Sequence, residues 1–138
     1  MGINFKLDRE NMQRMLGSTV AARQAVDDFA CNFLREQAIL VQNSATKKTP
    51  VATGHLKASW HMDSVKTSGK KMSIDVYNDA EYAFYVEHGH RRSNHKPPPI
   101  AGRHMGRDAM AEQEPYIAER LKAKSERFLR KHLGGGSA

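Results

Sequence analysis

The chain is poor in most of the features that mark a known chemistry. One cysteine, Cys31, stands alone in 138 residues, so neither an intrachain disulfide nor a cysteine-based metal cluster can form. Its neighbours, Ala30 and Asn32, lie in a helical pattern, where a small buried thiol is the ordinary reading. No apolar run approaches the roughly 20 residues that span a bilayer. The opening "MGINFKLDRE" lacks the apolar stretch of a secretion signal, and position 6 lacks the Ser or Thr of a myristoylation site. A cytosolic protein is therefore expected. Aromatic residues make up 7% of the chain. No Gly-x-Ser-x-Gly is present, and Ser59 and Ser64 carry no motif that marks an activating base. Glycine-rich phosphate loops are missing too: "GGG" falls at residues 134–136 and precedes no helix. No enzyme is signalled, and no cofactor is expected.

What the chain does have is positive charge. Lysine and arginine number 22 against 15 acidic residues, for a net charge of +7. Nucleic acid, an anionic surface or acidic protein faces are the partners such a balance favours. The basic residues are spread along the whole chain, however, with local density at Lys47–Lys48, Lys70–Lys71, Arg91–Arg92 and Arg127 to Lys131. The aromatics Trp60, Phe84 and Tyr85 fall in segments that read as core, which argues against base-stacking platforms.

Periodicity gives the outline. Ile3, Phe5 and Leu7 alternate with polar residues as a short strand. Asp8 can cap a following helix. Met12, Met15, Thr19, Ala22, Val26, Phe29, Phe33 and Leu40 then recur at helical spacing, with Gly17-Ser18 as a kink or a division. The pattern runs to Lys48 and stops before Pro50, because the residue preceding a proline prefers extended geometry. Unbroken, that helix would be about 55–60 Å long. Such a length exceeds what its own sheet can cover, so a neighbouring subunit is expected to bury part of its stripe.

Beyond Pro50, Leu56, Ala58, Trp60 and Met62 alternate as a strand. "TSGKK" reads as a hairpin turn, and Met72, Ile74 and Val76 alternate again. "YNDA" makes the next turn. "EYAFYVEHG" has Tyr82, Tyr85 and Val86 spaced for one helical face; its aromatic and β-branched content would also suit a strand, but a short helix closed by Gly89 is favoured. "HRRSNHKPPPIAG" follows as a long basic loop, since three successive prolines preclude a helix. A final helix starts near Arg103 and carries Met105, Ala109, Ile117, Leu121, Phe128 and Leu133, with Pro115 kinking it or starting a second one. The prediction is a single α+β domain over residues 1–133, with a long N-terminal helix, a small antiparallel β-sheet, a C-terminal helix and a long basic proline-rich loop. Residues 134–138 are expected to form a flexible Gly/Ser tail.

Two site readings compete with a purely structural one. Glu87, His88, His90 and His95 lie close together, and imidazoles two apart on an extended segment can face one metal ion. Arg91, Arg92 and Lys96 would repel that cation, and the triple proline falls where the helix of a metal-dependent His-Asn-His nuclease would be needed. A small basic DNA-binding protein is the second alternative, requiring only lysine and arginine near phosphates.

Taken in order, "TPVATGHLKASW", a hairpin, "YNDAEYAFYVEHGHR" and "GRHMGRDAM" resemble the tail-component proteins of siphophages and their prophages. These are also called neck, tail-completion or head–tail joining proteins. Pro50, Val51, Thr53, Gly54, Leu56 and Ser59 match a first motif of that family. Tyr82, Ala83, Tyr85, Val86, Glu87 and Gly89 match a second, and Gly102, Arg103 and Met105 a third. Ala52 departs from the aspartate usual in the turn. The resemblance implies a non-catalytic virion protein at the head–tail interface, present in the host cytoplasm during assembly. It would work as a ring-forming or ring-docking subunit. The implied partners are other copies of itself, portal-side connector proteins and a tail terminator or tail tube protein, with DNA in the channel as a passing contact and no membrane. On this reading Pro50, Thr53, Gly54, Leu56 and Trp60 form an architectural corner. His90, Arg91, Arg92, Lys96, Pro97, Pro98, Pro99 and Ile100 form a candidate partner-binding loop, its prolines limiting the entropy lost on ordering.

Overall fold

Two long antiparallel helices and a small sheet, with the N-terminal long helix between the other two, make up the computed structural model, which describes residues 2–50, 54–90, 100–102 and 104–133. Strand β1 (Gly2–Asp8) is followed by helix α1 (Glu10–Leu16) and helix α2 (Val20–Lys48). A single helical turn, α3 (His55–Ala58), leads into β2 (Trp60–Met62), β3 (Lys66–Ser68) and β4 (Lys71–Asn78). Helix α4 (Ala83–His88) precedes the two-residue strands β5 (Gly89–His90) and β6 (Ile100–Ala101), and α5 (Met105–Leu133) ends the described chain. The α+β class, the long helix, the antiparallel sheet and the C-terminal helix all agree with expectation.

Strand β4 is the centre of the sheet. It pairs antiparallel with β1 along one side, Phe5 opposite Ile74 and Leu7 opposite Met72. Its other side takes β2 near one end and β3 near the other. Alternation puts Phe5, Leu7, Met72, Ile74 and Val76 on the buried face. Gly69, at φ +60°, makes the β3–β4 turn, a backbone conformation that favours glycine.

Gly17 and Ser18 divide the N-terminal helix rather than kink it. Gly17 sits at φ +97°, and Thr19 restarts the chain as an N-cap, its side chain accepting the Ala22 N–H at 3.1 Å. α2 is consequently about 43 Å long. Its buried stripe comprises Ala22, Val26, Ala30, Phe33, Leu34, Ala38, Val41 and Ala45. Met15 and Leu40, expected on that stripe, are exposed. Alanine at the contact positions is the reason: small side chains let α5 approach one flank of α2 while the sheet packs on the other. The buried stripe of the helix is covered within the chain by α5 and the sheet, while Val20, Ile39 and Leu40 stay exposed.

The helical hairpin is joined along its length. Phe29 packs on Phe128 with ring centroids 4.8 Å apart. Arg120 donates to Gln37 Oε1 at 2.9 Å, and Lys124 pairs with Glu36. At the other end Glu112 accepts from the Ser44 hydroxyl and pairs with Lys48 at 3.3 Å. α5 runs unbroken through Pro115. The lost N–H and the ring's clash with the preceding turn are tolerated in a helix held at this many points.

One expected strand is shorter than read. Leu56 and Ala58 belong to α3, and only Trp60 to Met62 are extended. Gly54 at φ +72° starts that turn, and its left-handed backbone disfavours any residue with a Cβ. Leu56 still reaches the core because α3 is one turn long.

Glu112 yields a pH prediction. The Ser44 hydroxyl, and then Lys48, hold its carboxyl below the usual 4.5. A depressed carboxylate adds stability above its unfolded value and loses it as pH falls through its folded one. Wild type should therefore melt modestly above Glu112→Gln at pH 7. The lead should shrink to nothing as pH falls below 4.5. Equal melting temperatures at pH 7 would show that the contact does not join the helices.

Candidate functional site: a junction of three sequence motifs

The stretches singled out in the sequence meet at one place, the start of α5. The first strut is the hydroxyl of Thr49, the residue that ends α2 before Pro50. It donates to the Ala45 carbonyl at 2.6 Å, accepts the Trp60 indole N–H at 2.8 Å and touches Met105 Sδ at 3.4 Å. All three side chains are buried: Thr49 2%, Trp60 4% and Met105 0% exposed. A buried indole N–H without a partner would be costly, so Thr49 fixes how Trp60 sits. Gln42 adds a side-chain bond to the Trp60 carbonyl at 3.1 Å. Asn78 ties α3 to the end of β4, donating to the Leu56 carbonyl at 2.8 Å and accepting from the Ala80 N–H at 2.9 Å.

The second strut is Glu87, 4% exposed. One carboxylate oxygen accepts the Gly106 N–H at 2.6 Å and the other the Arg107 N–H at 3.4 Å. These are orphan donors of the first turn of α5, where the helix dipole also favours a negative group. The Glu87 backbone carbonyl accepts from the His104 N–H at 3.0 Å. His104 Nδ1 lies 3.8 Å from the carboxylate, and His104 adopts φ +47° to let the chain turn into the helix. Glu87 thus caps a helix from a different part of the sequence.

Gly102 explains itself sterically. A Cβ there would stand 2.4 Å from the Glu87 carbonyl oxygen and 2.7 Å from the His88 carbonyl carbon. Only a residue without a side chain lets the incoming strand cross α4 this closely. Gly89, at φ +83°, closes α4 and hands the chain to β5, whose backbone pairs with β6 as Gly89 with Ala101 and His90 with Ile100.

The expected face of α4 is reversed. Ala83 and Glu87 are buried, whereas Tyr82 and Tyr85 are exposed and Val86 is partly buried. Phe84 and Tyr85 are not core either, being 58% and 53% exposed. A carboxylate needed by a helix N-terminus outweighs the burial of aromatic rings. Phe84 packs edge-on to Tyr85 at 6.0 Å and lies 4.5 Å from the His88 ring. Behind it is a cleft of about 650 Å³ lined by Gly2, Ile3, Phe84, His88, Met110 and Ala111, among others.

Among the remaining candidates from the sequence, Pro50, Gly54, Leu56 and Ser59 lie around the Thr49–Trp60 strut. Val51, Ala52, Thr53, Arg103, the tail over residues 134–138, and the loop from Arg91 to Pro99, including Arg92, His95, Lys96, Pro97 and Pro98, lie outside the described residues. Of His90 and Ile100 only the backbone is described. Among the described residues no group of three His, Cys, Asp or Glu side chains is placed to hold a metal ion. Glu87, a member of the hypothesised metal set, has both oxygens occupied by backbone N–H groups. Sequence reading missed Thr49, Phe84 and His104. Of the α4 aromatics, Tyr85 had a signal: it lies two residues from both Ala83 and Glu87, so a helix that buries those two turns Tyr85 outward and leaves Phe84 at the edge of the buried face.

The arrangement is one of struts and caps around an exposed aromatic surface. Residues 11–89 match the model of the family described as "Bacteriophage HK97-gp10, putative tail-component". The chain belongs to that family, a structural tail-component family of tailed phages. A search of the curated proteins and one of the solved structures returned no match. The matched span takes in the first two motifs and stops at Gly89, so it contains Glu87 but not the α5 turn that Glu87 caps.

Removing either side of the Glu87 contact should destabilise the fold. Glu87→Ala leaves two N–H groups without their carboxylate and should cost about 2–3 kcal/mol in chemical denaturation. Gly102→Ala should cost at least as much, because the clashing atoms are backbone. A Glu87→Ala protein as stable as wild type would contradict the capping role.

Proposed function

We propose that this protein is a structural subunit of the phage neck, joining the DNA-filled head to the tail as a ring-forming or ring-docking component. The supporting observation is the exposed aromatic surface of α4. Phe84 and Tyr85 stand outward from a helix whose inner side is anchored by Glu87. Beside them the cleft against β1 and α5 offers apolar walls. Large exposed aromatics next to such a cleft are typical of protein contact surfaces, since ordinary surfaces scatter their apolar residues singly. Family membership supplies the setting of a virion. The candidate partners are neighbouring copies, a portal-side connector protein, and a tail terminator or tail tube protein. The loop from His90 to Ile100 is proposed as a second contact.

Electron microscopy of lysates from a phage lacking this gene tests the proposal. The expected result is DNA-filled heads beside separate, finished tails. Missing or overlong tails would place the protein in tail assembly instead. Intact infectious particles would overturn a structural role altogether.

A further inference from the structure

The charge of α5 changes sign along the helix. Its first half carries Arg107 against Asp108, Glu112 and Glu114. From Lys122 to Leu133 there are five lysines and arginines against the single Glu126, which is more than half of the chain's net +7. Basic residues in a last helical turn complement the helix dipole, and that accounts for Arg130, Lys131 and His132. It does not account for Lys122 or Arg127, which lie further back. Lys124 is neutralised by Glu36. Lys122, Arg127, Arg130 and Lys131 form no ion pair among the described residues, in contrast to Arg9, Arg14, Lys48 and Lys70.

The fold adds to this charge. Because Phe29 packs on Phe128, the first turns of α2 lie level with the last turns of α5, which brings Arg23 to the same end. Arg23 likewise has no ion pair among the described residues. The acidic groups at that end are Glu126, Asp27, Asp28 and, lining the same cleft as Arg23, Glu10, which pairs with Arg14 and Lys70. Asp27 is taken by Arg9 at 3.1 Å, and Asp28 accepts from Gln24 at 2.9 Å.

We infer that the free end of the helical hairpin is a phosphate-contacting face for duplex DNA, with Arg23, Lys122, Arg127, Arg130 and Lys131 as its cations. Protein interfaces are depleted in lysine and enriched in aromatics. Arginine suits either kind of surface, but this end also carries two lysines and, among the described residues, no exposed aromatic between the cations; its exposed large apolar side chains are Met15, Val20 and Leu133. An acidic protein partner is thus the less suited occupant. The dimensions also fit. Lys122 to Lys131 spans about 14 Å of helix, beside which one DNA strand presents about four phosphates at roughly 3.4 Å each. The contact reads no sequence, since phosphates carry none. The neck reading supplies its biological setting, DNA passing the joint, but the binding is a property of the purified protein and is tested apart from it.

The experiment is fluorescence anisotropy of a labelled 30-base-pair duplex with the purified full chain, from 50 to 200 mM salt. Binding should be on the order of micromolar at low salt, with log K falling about 3–4 units per decade of salt, as expected for about four released counterions. Arg127→Glu with Lys131→Glu should weaken it at least tenfold and flatten the slope by about 2. Lys47→Glu with Lys57→Glu makes the same change of net charge at the opposite end and should alter binding less than about threefold. Circular dichroism checks that both variants are folded. Absence of binding at 50 mM salt overturns the inference, as does equal weakening by the two variants, which would make the binding diffuse. Oligo-glutamate retained by the protein when duplex is not would also overturn it, assigning the face to acidic protein.

Discussion

Everything on the exposed side of this molecule depends on the Glu87 carboxylate meeting the first turn of α5. α4 is only six residues long and could not hold a geometry alone. Its one buried charge is satisfied by Gly106 and Arg107 N–H groups at the start of a 29-residue helix. That helix lies along α2, which lies on the sheet. A short helix is thereby tied to the whole core through two hydrogen bonds and one close backbone crossing at Gly102. The Thr49–Trp60–Met105 contact braces the same junction from inside. Because Glu87 takes the inward position, the neighbouring aromatic rings are turned to solvent.

The molecule consequently has two unlike ends. Near the start of α5 are exposed aromatics and an apolar cleft. At its far end, about 43 Å away by helix length, are cations that form no ion pair among the described residues and have no exposed aromatic between them. One end suits a protein neighbour and the other a polyanion. Both are placed by the same antiparallel packing of α2 on α5, in which alanines permit close approach and Phe29–Phe128, Glu36–Lys124 and Ser44–Glu112 set the alignment.

Much of the fold was legible in the sequence, and the misses have physical reasons. Period-two alternation located β1 and β4, because each has one buried face. The proline after Thr49 and the glycine after Leu16 marked real helix ends. The strand expected over Leu56 to Met62 starts only at Trp60, because a one-turn helix that follows Gly54 also returns an apolar residue to the core. The buried stripe of α2 was located at Ala22, Val26 and Phe33 but missed elsewhere, because it is built partly from alanine, which carries little hydrophobic signal. α4 was assigned the wrong face because spacing cannot show that a carboxylate, and not a tyrosine, has a buried partner 19 residues away. The junction was foreshadowed as three separate motifs; only the fold brings Glu87, Gly102 and Met105 to one point.

If the α4 aromatics serve assembly and not folding, their loss should separate infectivity from stability. Complementation of a gene-deleted phage with Phe84→Ser and Tyr85→Ser, alongside the melting temperature of the same purified variant, measures both at once. The expected result is a near-native melting temperature with a loss of infectious particles of at least about a hundredfold. Full infectivity from a folded variant would contradict an assembly role, as would a loss of infectivity fully explained by unfolding.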